Sequence, residues 1–373
     1  DASQIDPSGV IGFLDDLPQD GASFSNVLSG TYYGLTVRDD TFSVRTNSGS
    51  LSSALGDMGT ALGSYSDTDL DFITPTASNL DVTGALKFYT GPGNFILDGN
   101  MSATGDLTLY GPSLTAGSAG DVQIIAGGTL GVTGVNGLTI GTAGDVTLSG
   151  TSSASLQSSD IEWLDNSHRL TLHSGGNLVV MVGNIGNGIG DLVLDANGSI
   201  GLYTPPTVDL GRFELQGGIW SQTGTLPSFA ADDFRITGGT FIRALGGNGL
   251  SATPYQIADI YGLQGIGSAG MLSMLTKHHV LANDIDASAA ASWNGGAGFN
   301  PIGRNTAFTG ELDGAGHTIS GLVIDGRGAD KSALFGEIGT GGAVSNLILS
   351  GGSVTDFPEK RALVRAPSID HEA

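Results

Sequence analysis

A five-residue pattern recurs through the middle of the chain: Gly-Asp, then Leu or Val, any residue, then Leu or Ile. It occurs at 105–109, 120–124, 144–148 and 190–194. The last two copies are separated by about two units of 23 residues, and the related segment HRLTLH (168–173) lies between them. One such strand cannot bury its apolar side alone, whereas stacked coils align these sides into one core. The repeat therefore predicts an all-β parallel β-helix, a solenoid with coils of about 23–25 residues.

The composition agrees with this fold class. The chain has 62 glycines in 373 residues, 39% hydrophobic residues and no strict G-X-Y period. These values exclude collagen and disfavour disorder, and they are typical of short strands alternating with turns. A β-sandwich also has short strands, but its strands would not resemble one another at an interval of about 23 residues.

Charge and residue types exclude several function classes. The formal net charge is −23, which makes nucleic acid and anionic membrane surfaces poor partners. The chain contains no cysteine, so disulfides and thiolate metal sites are absent. No apolar stretch approaches the roughly 18 residues that span a membrane. Because no signal peptide precedes Asp1, we expect a mature or excised fragment.

A second repeat predicts the coil length near the C-terminus. ISGLVI (319–324) aligns with VSNLIL (344–349) at an offset of about 25 residues, which fits one coil of three strands and three corners. We predict a β-helix over most of 20–355, and four regions along the chain. They are irregular N-terminal coils or a cap (1–80), the regular β-helix (81–254), further coils with a short helix or loop at 260–276 (255–356), and a terminal extension (357–373).

The region 255–352 also resembles a known family. It contains, in order, YQI (255–257), HVLANDIDAS (279–288), GFNPIG (298–303), FTGELDGAGHTISGLVI (308–324) and AVSNLILSGG (343–352). This order is similar to the repeat region of large bacterial adhesins related to filamentous haemagglutinin, including the glycine-rich G-L-U-G module.

This resemblance implies a right-handed parallel β-helix that is exported, typically through an outer-membrane partner pore. It also implies an extracellular or cell-surface location, and a role in adhesion, aggregation or biofilm. The expected partners are host-cell or matrix glycans or other cells.

Asp313 and His317 are the first candidate site residues. Four positions apart among glycines, they fit a general acid/base pair, which needs a tuned pKa and a third positioned group. The alternative, which we favour, is that Asp313-Gly314 turns a corner of the coil and His317 begins the next strand.

A polysaccharide lyase or glycoside hydrolase is the enzymatic alternative. Hydrolysis needs two carboxylates about 5–9.5 Å apart, and stacked coils would bring four aspartates near one another. These are Asp284, Asp286, Asp313 and Asp325, with Arg304 and Arg327 as nearby cations for an anionic substrate. Because no further motif supports catalysis, we predict that the chain is not an enzyme.

Metal and cofactor sites are also disfavoured. His278 and His279 are adjacent in a strand, so they point to opposite faces, and His168 and His173 do the same. The segment GNGIGDLVL (186–194) comes nearest to a calcium-binding nonapeptide but fails at its second and fourth positions. We expect no cofactor and at most an incidental calcium ion.

Together these observations predict a non-catalytic structural adhesin or biofilm-matrix protein that acts as a rigid presenting rod. Coil ends expose ladder edges, so a second hypothesis is head-to-tail assembly into a filament, with 357–373 bridging subunits.

Overall fold

The computed structural model describes residues 100–117, 120–326 and 331–355, together with the backbone of six strands between 23 and 97. The remaining parts of the predicted N-terminal region and the extension 357–373 lie outside the described residues.

The three strands nearest the N-terminus form an antiparallel sheet. They are β1 (Ser23–Leu28), β2 (Thr31–Arg38) and β3 (Thr41–Thr46), paired in the order β1-β2-β3. Two strands in 31–46 were expected and are confirmed. Their antiparallel pairing differs from that of a solenoid coil, so these strands are not part of the parallel β-helix that was predicted over most of 20–355. Among the strands that the structure describes, parallel pairing begins at Leu80.

The first stack of the solenoid is a parallel sheet of 17 strands. The strands are β4 (Leu80–Val82), β5 (Leu86–Tyr89), β6 (Asn94–Leu97), β7 (Met101–Ala103), β8 (Leu107–Ala116), β9 (Val122–Ala126), β10 (Thr129–Ile140), β11 (Val146–Gly150), β12 (Ser153–Trp163), β13 (Arg169–Ser174), β14 (Leu178–Ile185), β15 (Asp191–Ala196), β16 (Ser199–Leu202), β17 (Thr207–Leu215), β18 (Ile219–Thr223), β19 (Phe229–Ile236) and β20 (Thr240–Ala244). They stack in about seven turns, which confirms the predicted fold class.

The Gly-Asp repeat marks one wall of this stack, a wall being the sheet formed by equivalent strands of successive coils. Val122 pairs with Val146, Val146 with Leu170, and Leu170 with Leu192. Leu170 belongs to HRLTLH, so this segment supplies the coil between the copies at 144 and 190, as the spacing predicted. The copy at 105 is different: Leu107 pairs with Leu130 on another wall.

Alternation along each strand fills the core. In β11 and β13 every second side chain is buried, because successive side chains of a strand point to opposite faces. Each fully buried Leu, Ile or Val contributes roughly 1.5–3 kcal/mol. Aromatic side chains replace aliphatic ones at the C-terminal end of the first stack, in a cluster that continues into the second stack. They are Phe213, Trp220, Phe229, Phe234, Phe241, Tyr261 and Trp293.

The second stack has three walls of short strands. Its strands are β21 (Tyr255–Ile257), β22 (His278–Leu281), β23 (Ile285–Asp286), β24 (Glu311–Asp313), β25 (Thr318–Ser320), β26 (Val323–Asp325), β27 (Ala343–Ser345), β28 (Ile348–Ser350) and β29 (Ser353–Thr355). The walls are β21-β22-β24-β27, β23-β25-β28 and β26-β29, all parallel.

The register of the second stack corrects a prediction. The alignment of ISGLVI with VSNLIL places Ile319 opposite Val344, but Ile319 pairs with Leu349, and Val344 pairs with Leu312. The predicted coil length was therefore wrong only for the later coils of this stack, because Tyr255 pairs with His279, 24 residues on, whereas Leu312 and Val344 are 32 residues apart and Ile319 and Leu349 are 30 apart. The added length consists of loops that stack on one another, through parallel bridges from Ile302 to Phe335 and from Phe308 to Ile338.

Helical structure lies where the sequence predicted it, between 260 and 276, and again before residue 297. The elements are α1 (Ile260–Gly265), 3-10 helices at Met274–Thr276 and Ser288–Ser292, and α2 (Trp293–Gly296). The last of these is a short turn rather than a regular helix, because Asn294 and Gly295 have left-handed φ values of 55° and 68°. Every residue of α1 is buried, and Asp259 caps it by accepting a hydrogen bond from the Gly262 N–H at 2.8 Å. Within the described part of the chain, no helix has the length and apolarity to cross a membrane.

Candidate functional site

Asp313 and His317 do not pair with each other. His317 Nδ1 lies 3.1 Å from Asp284 Oδ1, on a coil 33 residues earlier. Asp313 Oδ1 instead accepts hydrogen bonds from the Ala315 N–H and the Asn346 side chain, both at 2.9 Å. The first of these bonds closes a turn in which Ala315 has a φ of 52°. Asp313 therefore occupies the corner position that the favoured interpretation predicted.

Hydrogen bonding holds the exposed carboxylates in the ionised form. The pKa of Asp284 is lowered mainly by the hydrogen bond from the Thr318 N–H, and the hydrogen bond from the His317 side chain lowers it further. The Ser288 N–H does the same to the pKa of Asp286, and the Ala315 N–H to the pKa of Asp313. A lowered pKa makes a carboxyl group a poor proton donor, which is the opposite of what a general acid needs.

The four aspartates do not share one wall, and their proximity to one another stays a prediction. Asp284 and Asp286 lie at β23, Asp313 ends β24, and Asp325 ends β26, and these three strands belong to different walls. Arg304 makes no described contact with any of them. Its one described hydrogen bond runs to Asn300 Oδ1 at 3.3 Å, and Arg327 is outside the described residues.

The predicted opposite orientation of the paired histidines is confirmed. His278 faces outward, with Nδ1 2.9 Å from Glu311 Oε2. His279 is buried, its Nε2 is 3.0 Å from the Met274 carbonyl oxygen, and its Nδ1 has no partner. Burial lowers the pKa of His279 to about 4, so this ring is neutral at pH 7.

His168 and His173 contact different carboxylates. His168 lies 3.8 Å from both Asp145 and Asp165, whereas His173 Nδ1 lies 2.9 Å from Asp195. Among the residues that the structure describes, no group of three His, Cys, Asp or Glu side chains is arranged to hold a metal ion.

Polar side chains of the calcium-like segment have protein partners. The Asn187 side chain donates to the Trp163 carbonyl oxygen at 2.9 Å, and Asp191 Oδ2 lies 3.3 Å from Arg212 Nη1. Burial raises the pKa of Asp191, although Arg212 and Arg169 oppose this. Incidental calcium binding stays a prediction.

A ladder of alternating charges on one wall was missed by the sequence interpretation. Asp191 Oδ2 lies 3.9 Å from Arg169 and 3.3 Å from Arg212, and Asp233 Oδ2 lies 3.6 Å from Arg212 and 2.6 Å from Arg235. The structure places four residues of alternating charge at the same register position in successive coils: Arg169, Asp191, Arg212 and Asp233. In the sequence, this alternation of opposite charges at an interval of one coil could have revealed the ladder. Such pairs favour one register between coils.

Two curated proteins are similar to parts of this chain. Halomucin from Haloquadratum walsbyi is 43% identical over 140 residues, which cover 36% of the chain and 2% of that protein. A Gly-rich membrane protein from Evansella cellulosilytica is 35% identical over 113 residues, 30% of the chain and 12% of that protein. The chain thus spans a small part of the length of either relative. No family model and no solved structure matches.

Proposed function

We propose that this chain is a structural segment of a surface- or membrane-associated protein, and that its solenoid acts as a rigid rod. The observation that supports this best is the series of parallel ladders in the two stacks between Leu80 and Thr355. The names of the two relatives, one of them a membrane protein, fit this setting.

The rod follows from the hydrogen bonding of the coils. Each coil adds about 4.8 Å along the axis, so seven turns of the first stack extend about 34 Å. The backbone groups form hydrogen bonds between neighbouring coils, and the apolar side chains pack in the core. The outward-facing side chains are therefore free to contact other molecules. A surface with an excess of acidic residues also stays hydrated and resists nonspecific association.

The finer proposal is adhesion, as in the filamentous-haemagglutinin-like proteins that residues 255–352 resemble. The purified chain would be incubated with cells and with a panel of polysaccharides, and both retention and product formation would be measured. Adhesion predicts retention without products. Turnover that is lost in Asp313→Asn would instead favour the polysaccharide-degrading alternative.

Filament formation is a second candidate, which the last described coil supports. Ile348, Leu349 and Val354 are 51%, 55% and 53% exposed, whereas Ile319 and Ile324 in the preceding coil are buried. A ladder edge with exposed apolar side chains favours stacking of a further coil or a second copy. Oligomer size, measured by light scattering, should fall in Leu349→Lys and on deletion of 357–373. Unchanged size in both variants would contradict the filament proposal.

A further inference from the structure

A polar cleft lies beside the junction of the two stacks. It is bounded by the end of β19 and by the loops at 264–270 and 294–306, and it contains a cavity of about 170 Å³. A neighbouring cavity of about 280 Å³ shares Thr237, Asn294 and Arg304 with the first. The neighbouring cavity by itself approaches the lower end of the size of small-ligand sites, roughly 300–1,000 Å³.

Arg304 gives the first cavity its charge. It is the only charged residue among the described residues that line this cavity. The side chain is exposed and makes no ion pair with a described carboxylate, in a chain where acidic residues outnumber basic ones by 37 to 14. The neighbouring cavity adds Lys331, which pairs with Glu337 at 2.6 Å, and Asp325, which accepts a hydrogen bond from Thr355 at 3.1 Å.

Neutral polar side chains surround Arg304. Asn305 and Thr306 are exposed lining residues that form no hydrogen bond with a described residue. Asn294 donates to the Gly298 carbonyl oxygen at 2.8 Å, and its side-chain oxygen has no described partner. Donors and acceptors of this kind suit the hydroxyl groups of a sugar ring.

The backbone at the rim is held in an uncommon conformation. Asn294, which lines both cavities, has a φ of 55°, and Gly298, which lines the neighbouring cavity, has a φ of 82°. Residues in sparsely populated backbone regions cluster at sites that clamp ligands, and glycine leaves the rim without side chains.

From this arrangement we propose that the cleft binds a uronate unit of an acidic polysaccharide, with Arg304 as the partner of its carboxylate. A guanidinium fork matches a carboxylate bidentately, and a single cation suits a singly charged group. Asn294, Asn305 and Thr306 contact the ring hydroxyls. This rests on the proposed adhesive function and names its ligand class.

The probe is trigalacturonic acid, with galactotriose as its neutral counterpart, titrated into the purified chain by calorimetry. Arg304→Gln should weaken trigalacturonic acid binding about tenfold or more, the effect of losing one charge-assisted hydrogen bond. Lys277→Gln is the matched control, because Lys277 also makes no described ion pair and lies outside the cleft. The affinity of Lys277→Gln for trigalacturonic acid should equal that of the unaltered chain. Added salt should weaken the binding of trigalacturonic acid to the unaltered chain.

Three outcomes would overturn the proposal: no binding at millimolar concentrations, equal binding of galactotriose, or equal loss in both variants. If the Arg304→Gln variant adheres to cells as strongly as the unaltered chain, this site is refuted and the adhesive function is not. Binding of trigalacturonic acid without adhesion would support the site and refute the adhesive function.

Discussion

The junction of the two stacks contains a buried ion pair whose removal should be costly. Arg243 is buried, and its guanidinium donates to Asp259 Oδ2 at 2.7 Å, Gln222 Oε1 at 2.6 Å and the Pro227 carbonyl oxygen at 2.7 Å. The other oxygen of Asp259 caps α1. One carboxylate therefore joins the last strand of the first stack to the first helix of the second.

Asp259→Ala should lower the free energy of unfolding by about 3 kcal/mol or more. Breaking a buried pair by removing one partner costs about 3–5 kcal/mol, and losing an N-cap costs about 1 kcal/mol. The partial exposure of Asp259, 29%, favours the lower end because water reaches the site. Asp259→Asn should cost about 2 kcal/mol, because its single acceptor oxygen serves either Arg243 or the cap but not both.

The matched control is an exposed pair of nearly equal length. Lys331 Nζ lies 2.6 Å from Glu337 Oε2, with the two side chains 30% and 54% exposed. Glu337→Ala should cost at most about 1 kcal/mol, because solvent screens the pair. Urea unfolding followed by circular dichroism gives the stability, and hydrogen exchange of the amides in β20 and α1 locates the change, since solenoids unfold locally as well as globally. Equal costs for Asp259→Ala and Glu337→Ala would refute the reasoning.

Three further predictions concern single sites. His279 has a pKa of about 4 in the folded chain and about 6.5 when unfolded, so stability should fall by up to about 3 kcal/mol as the pH drops from 6.5 to 4. Urea midpoints should show a smaller drop in His279→Leu, and an equal drop would contradict this. Gly190→Ala adds a Cβ 2.2 Å from the Trp163 ring at a φ of +80°, so its thermal midpoint should fall further than that of Gly224→Ala, where φ is +95° and nothing lies within 4 Å. The Asp284 carboxylate should titrate below 3.8 by NMR, with its stabilising effect lost as the pH falls through that lowered pKa. A midpoint at or above 3.8 would count against the Thr318 hydrogen bond.

The sequence determined the first stack because a solenoid needs apolar residues inside at one coil interval. The spacing of GDVQI, GDVTL and GDLVL identified one wall, and HRLTLH supplied its missing coil. Strand alternation likewise determined that His278 and His279 face opposite sides.

The tertiary structure decided the register of the second stack and the partners of its polar residues. A local alignment of ISGLVI with VSNLIL does not show that the loop between them, which contains Phe335, stacks on the preceding loop at Ile302. This stacking lengthens the coil and places Ile319 opposite Leu349. The length of the loops determines which residue of one coil lies opposite a given residue of the next coil. For that reason His317 contacts Asp284, 33 residues away, and not Asp313, its neighbour in sequence.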